Sequence, residues 1–241
     1  MDAPLAAGTA EGVGLGADAA SEIHAFVPHD IRERYEVHSY KHAAAMLHTC
    51  HAAEAAELYD SLRAFRLTKA DIQKPGGNES DIPKRFAELL RPQGWDETSI
   101  RGDLVVTLSR HKKREDASHG KGAVDQTILR KNNYLDGHKI DFVKHGVAFD
   151  LEWNSKDQTF DRDLYAFRAF AECGVIGVGI LLTRSASLNP VFAALGVKNK
   201  YGASTTWMGK LLYRLNAGRH GGCPVLALGI TPALIADWAA A

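Results

Sequence analysis

The sequence predicts an α/β fold in which a mixed central β-sheet is flanked by helices. Three observations carry this prediction. Residues 21–65 are rich in Ala, Leu, His and Glu; short β-type runs stand at 104–109 and on either side of His145-Gly146; and from residue 161 onward helical and strand patterns alternate.

In order along the chain, HAAAMLHTCHAAEAAELYDSLRAF contains strong helix formers with no Gly or Pro, so residues 21–65 read as one or two helices. The cluster KPGGNESDIP is a turn. Ser80 or Asp81 then caps a helix through PKRFAELLRPQ, with Pro83 in its first turn and a stop near Gly94. LVVTLS reads as a strand, and IDFV and VAFDLEW read as a hairpin turning at His145-Gly146. DRDLYAFRAFAECG repeats apolar residues at helical spacing and ends at Gly174, and the continuous apolar run VIGVGILLT reads as a buried strand. SASLNPVF reads as a loop and GVKNKYGASTT as a polar segment. A helix (WMGKLLYRLNAG), a strand (PVLALGI) and a short terminal helix from Pro232 complete the order.

With 241 residues, 45% of them hydrophobic, the chain is long enough to bury one sizeable core, and residues 21–241 are expected to form a single domain. Residues 1–20, MDAPLAAGTAEGVGLGADAA, offer few groups able to pack and are expected to be a disordered tail. Lys+Arg and Asp+Glu both number 29, so net charge argues neither for nor against nucleic acid; a DNA-binding surface must come from uneven distribution. The cysteines Cys50, Cys173 and Cys223 are odd in number and lack a Cys-x-x-Cys pair, which favours free thiols in a reducing compartment. Cys50 beside His48 and His51 lacks the second ligand pair of a zinc site. No stretch approaches the roughly 20 apolar residues of a membrane span, and the first residues lack the basic and apolar regions of a secretory signal. A cytoplasmic chain with no membrane partner is the expectation.

Strand alternation in VAFDLEWN puts Asp150, Glu152 and Asn154 on one face and Phe149, Leu151 and Trp153 on the other. One face is core and the other a row of acids. If IDFV pairs with this strand through the turn, the carboxylate of Asp141 approaches Asp150. Hard cations such as Mg2+ take oxygen ligands, usually one or two carboxylates with water, and Asp141 with Asp150 can supply them. Phosphodiester hydrolysis needs an activated water and positive charge beside the phosphate. Lys156 can add a cation there, and Glu152 can hold the water or a second metal. The same spacing also fits a solvated acidic face, and spacing by itself leaves both open.

The stretch from Asp141 through DRDLYAFRAF and VIGVGILLTR resembles the catalytic core of the PD-(D/E)xK nucleases, and more narrowly the BglII/BstYI-type type II restriction endonucleases. The resemblance is strongest over 133–235 and weak in the helical N-terminal third. In that family an aspartate ends one strand and an acid-x-polar pair follows nine and eleven positions later, where Asp150 and Glu152 follow Asp141. The resemblance implies a restriction-endonuclease-like fold and Mg2+ held by Asp141, Asp150 and Glu152. Asp150 stands for a glutamate that shares the metal. Glu152 stands where the superfamily carries lysine or close relatives glutamine; BamHI-type enzymes resemble it in using glutamate. These departures leave a second register, Asp141 with Glu152 and Asn154, open, and they give Lys156 the missing lysine's role from a displaced position.

Enzymes of this kind act as two-fold dimers on palindromes, so the resemblance implies a homodimer on double-stranded DNA, a short recognition site with GATC among its forms, and functional pairing with a DNA methyltransferase. The run Lys198, Asn199, Lys200, Tyr201, Gly202, Ala203, Ser204, Thr205, Thr206 carries side chains suited to base edges and phosphates, and reads as the recognition loop. Ser204 or Thr205 also suits the N-cap of the following helix. The basic cluster Arg110, His111, Lys112, Lys113, Arg114, followed by Lys121, Arg130 and Lys131, is the clearest charge asymmetry and suits a phosphate track. The GGNES segment before Lys84 is a further candidate for approach to the scissile bond. Arg162 and Asp163 read as a structural ion pair at a helix start. Two other functions stay open: a non-specific or repair-type nuclease of the same superfamily, and a DNA-binding protein with a degenerate site.

Overall fold

The structure, a computed structural model, describes residues 16–75, 81–111 and 124–238. Residues 1–15, the GGNES segment at 76–80 with the cap candidate Ser80, and Lys112, Lys113, Arg114 and Lys121 lie outside the described residues.

Six strands form one mixed sheet: β1 (Tyr35–Tyr40), β2 (Asp96–His111), β3 (Val124–Lys144), β4 (Val147–Glu152), β5 (Val178–Arg184) and β6 (Val225–Ile230), in the order β1-β6-β5-β4-β3-β2. β4 and β6 each run parallel to β5, while β3 pairs antiparallel with β4 and β1 antiparallel with β6. The described helices are α1 (Ala20–Phe26), α2 (His29–Arg34), α3 (Ala43–Cys50), α4 (Ala52–Ala64), α5 (Lys69–Gln73), α6 (Asp81–Leu90), α7 (Thr159–Glu172), α8 (Asn189–Ala194) and α9 (Met208–Asn216). The α/β expectation of a mixed sheet flanked by helices holds.

Several local expectations are corrected. Residues 21–65 are four helices with a strand among them, because Tyr35 to Tyr40 alternate and pair with β6. Helix α3 breaks from α4 at His51, whose φ of −134° is not helical. SASLNPVF is not a loop: a 3-10 turn at Ala186–Leu188 runs into α8. The N-cap of α9 is Trp207, not Ser204 or Thr205, and the stretch from Pro232 is a 3-10 turn. The fold begins inside the expected tail, since the Asp18 N–H donates to the Ser39 carbonyl at 2.7 Å and α1 opens at Ala20.

The described residues cluster into two compact units, one within 1–98 and 140–241 and the other at 99–139. In the first, one sheet face carries Val147, Phe149, Leu151, Ile180, Leu182, Leu226 and Leu228 into a core with Leu47, Leu58, Phe65, Phe86 and Trp95. Burying such side chains contributes about 1.5–3 kcal/mol each. The second unit comprises β2 from Ser99 onward and β3 as far as Lys139. There the Asn133 N–H donates to Asp103 Oδ1 at 2.8 Å, and Arg110, His111, Arg130 and Lys131 are exposed alongside Val105, Ile128 and Leu129. Among the described residues no helix is long and apolar enough to cross a membrane, and the three cysteines are free.

Candidate active site

The hairpin of β3 and β4 has the register Phe142 to Phe149, Val143 to Ala148 and Lys144 to Val147. Its two-residue turn has positive φ at both positions, 40° at His145 and 86° at Gly146, the backbone of a type I′ turn that matches strand twist. Helix α4 holds the tip. His145 Nδ1 meets Glu54 Oε1 at 2.8 Å, and Lys144 Nζ donates to both oxygens of Glu57 at 2.6 and 2.7 Å. Glu57 also accepts from the indole of buried Trp95 at 2.8 Å.

Continuing the register sets Asp141 across from Asp150. The Asp141 N–H donates to Asp150 Oδ1 at 2.8 Å. Alternation then sends Ala148, Asp150 and Glu152 to the face opposite Phe149 and Leu151. This face is not the row of solvated acids that spacing also allowed: all six residues of β4 are buried, Asp150 with 5% and Glu152 with 8% of their surface exposed. Helix α7 covers it. The helix comes close because Gly179 on neighbouring β5 has no side chain; a Cβ there would lie 2.5 Å from the Phe167 ring.

One turn before Phe167, α7 brings in Asp163, which is 2% exposed. The Arg162–Asp163 pair exists, with Asp163 Oδ1 accepting at 3.0 and 2.8 Å, but the same guanidinium also reaches Glu152 Oε1 at 3.2 Å. Asp163 was not among the sequence candidates. The available signal was its spacing, three residues after Phe160 and four before Phe167, which sets it on the apolar stripe.

Burial raises the Asp150 carboxyl well above the ordinary range, and the charges of Asp163 and then Asp141 add to this against the opposing Asp141 N–H. Burial likewise pushes Asp163 up to about 8, with Glu152 adding to it and Arg162 opposing. Such a cluster of buried acids answered by one guanidinium fits a divalent cation, whose charge replaces the protons the acids otherwise hold. The orphaned Asp163 Oδ2, buried without a hydrogen-bond partner, points the same way. Among the described residues, three ligand atoms all within 4.8 Å of one another occur at Asp18, Glu22 and His42, not at this face. That group is already satisfied in part by Ser39 Oγ and the His42 N–H, which both donate to Asp18.

The strand ends at Glu152. Asn154 lies beyond it; its Nδ2 donates to the Lys200 carbonyl at 3.3 Å, while its Oδ1 is buried without a hydrogen-bond partner. Lys156 is exposed and pairs through its backbone with Thr205, while its carbonyl accepts from Thr159 Oγ1 at the start of α7.

The 198–206 run divides. Lys198, Asn199 and Ser204 are exposed, whereas Tyr201 and Thr206 are buried. Tyr201 stacks on Phe192 at 4.0 Å and its hydroxyl donates to the Ile72 carbonyl at 2.9 Å. Lys200 Nζ donates to the Ile72 and Lys74 carbonyls. Buried Arg184 donates to the Thr206 carbonyl at 2.8 Å and to Thr205 Oγ1 at 2.5 Å. These contacts turn Lys200, Tyr201, Thr205 and Thr206 inward as the scaffold of the loop.

No curated protein matches the chain. The profile of the family described as Restriction endonuclease BglII/BglIII matches residues 35–230, from the first residue of β1 to the last of β6, and so takes in the hairpin, α7 and the 198–206 loop. Matched over most of its length, the chain belongs to the BglII/BglIII restriction endonuclease family, and with it to the DNA-binding nucleases.

Proposed function

We propose that the protein is a Mg2+-dependent type II endonuclease that hydrolyses double-stranded DNA at a short palindrome, with GATC-containing sites the first to test. The observation that carries this is the buried acid face of β4, with Asp150 opposite Asp141 and Glu152 beside it. Mg2+, when bound, lowers the pKa of a water and offsets charge on the phosphate. Asp141 on β3 would hold it together with Asp150 and Glu152 on the paired strand β4. Glu152 would also orient the attacking water through its carboxylate, and Lys156, exposed beyond the strand end, would supply a cation to the phosphate.

The register with Asn154 stays an alternative: its Nδ2 is spent on the Lys200 carbonyl, but its Oδ1, the atom that would meet a cation, is buried without a hydrogen-bond partner. For base reading, the exposed Lys198, Asn199 and Ser204 are the candidates, with Arg110 and Arg130 available to phosphates. A palindromic site calls for a homodimer, since two-fold symmetry presents one reading surface to each half-site. A partner methyltransferase would protect the same site.

The test uses the purified full chain on unmethylated plasmid DNA with Mg2+. Discrete fragments, lost in Asp141→Ala and Asp150→Ala, are expected, and sequencing their ends gives the site. Intact DNA across varied sequences and divalent metals would overturn the assignment. Random ends would replace it with a nuclease lacking sequence preference.

A further inference from the structure

We infer that Asp163 is a further ligand of the divalent cation, supplied from α7 to face Asp150 and Glu152, and that the Arg162 guanidinium holds the cation's place in the metal-free protein. This rests on the metal reading of Asp141, Asp150 and Glu152 given above.

Beyond its ion pair with Arg162, the position of Asp163 gives it no structural task. It is the fifth residue of α7, past the first-turn N–H groups that a carboxylate would cap, and its stripe neighbours Phe160, Leu164, Phe167 and Phe170 are buried and apolar. A carboxylate there costs several kcal/mol in desolvation unless it is paired. Its neighbours are Arg162 and the Glu152 carboxyl, which lies within hydrogen-bond reach and raises its pKa. Oδ1 takes both hydrogen bonds from Arg162, while Oδ2 is buried with no donor. Leaving such an acceptor unsatisfied costs about 1–3 kcal/mol.

Arg162 behaves as a stand-in. Its own side chain is 66% exposed, yet its guanidinium reaches both Glu152, at 3.2 Å, and Asp163, at 2.8 Å, whose side chains are 10% and 3% exposed. An exposed arginine can swing into water at little cost. Its departure would free Glu152 Oε1 and Asp163 Oδ1, which with the unpartnered Asp163 Oδ2 are the oxygens offered to a cation. Asp150, Glu152 and Asp163, when ionised, carry three negative charges against the single positive charge of Arg162. A divalent cation in its place comes closer to balance.

The experiment is a Mn2+ titration of the full chain without DNA, followed calorimetrically and by the electron paramagnetic resonance of free Mn2+. Asp163→Asn is expected to weaken Mn2+ binding at least tenfold, as is Asp150→Asn, with circular dichroism unchanged. A Kd for Asp163→Asn within twofold of wild type, while Asp150→Asn loses binding, would overturn the role of Asp163 and leave the underlying site intact. Wild-type Mn2+ binding in both variants would sink the site reading itself. Should Asp163→Asn fail to fold, Arg162→Gln decides: tightened Mn2+ binding by threefold or more supports a displaced guanidinium, and unchanged or weaker binding refutes it.

Discussion

The buried acid of α7 makes the metal-free protein less stable as pH rises, the reverse of ordinary acid denaturation. Asp163 has its folded-state pKa raised from 3.8 to about 8, so between these values the folded chain binds a proton that the unfolded chain releases. Stability therefore falls with pH across that interval and levels off above about 8. Each pH unit within it is worth about 1.36 kcal/mol, so moving from pH 5 to pH 8 removes up to ~4 kcal/mol, a large share of the 5–15 kcal/mol that holds a typical domain. Urea denaturation of the chelator-treated protein at pH 5, 6, 7 and 8 measures this directly. Asp163→Asn, whose amide does not titrate, should flatten the profile and exceed wild type in stability at pH 8. Mg2+ should lift the wild-type curve most at pH 8, where it competes with fewest protons. Parallel pH profiles for wild type and Asp163→Asn would refute the reasoning.

Three further outcomes follow from packing. Glu57→Ala strips Lys144 and the Trp95 indole of their shared acceptor, and is expected to cost about 2–4 kcal/mol in denaturant melts, with cleavage lost before global unfolding as the hairpin tip loosens. Gly179→Ala drives a methyl to within 2.5 Å of the Phe167 ring; a loss of about 1–3 kcal/mol is expected, and weaker Mn2+ binding as α7 is pushed off the acid face. Tyr201→Phe removes the hydroxyl bonded to the Ile72 carbonyl and should destabilise by about 1 kcal/mol without changing the cleavage site. Ser204→Ala or Asn199→Ala should relax the site instead, and a relaxed site in Tyr201→Phe would put that ring at the DNA.

What the sequence determined by itself is local and periodic. The His145-Gly146 turn, the apolar spacing of α7 ending at Gly174, and the continuous apolar runs of β5 and β6 each follow from backbone sterics and side-chain period within a short window. Asp141 and Asp150 were legible for the same reason: a two-residue hairpin sets its own register, and the register pairs them. β1 was not, because Tyr35–Tyr40 lies among strong helix formers and its partner β6 is about 190 residues away. The inward turn of Tyr201 and Lys200 depends on carbonyls of Ile72 and Lys74, which no local pattern connects to them.

Tertiary structure alone decided the environment of the acids. On the strand, Asp150 and Glu152 alternate in the same way whether water or a helix covers them. Gly179 lets α7 approach, α7 carries Asp163 to that face, and the water excluded there raises the pKa values of Asp150 and Asp163. Burial is a property of the assembled layers, so the chemistry of the acid face became legible only when the helix lay upon it.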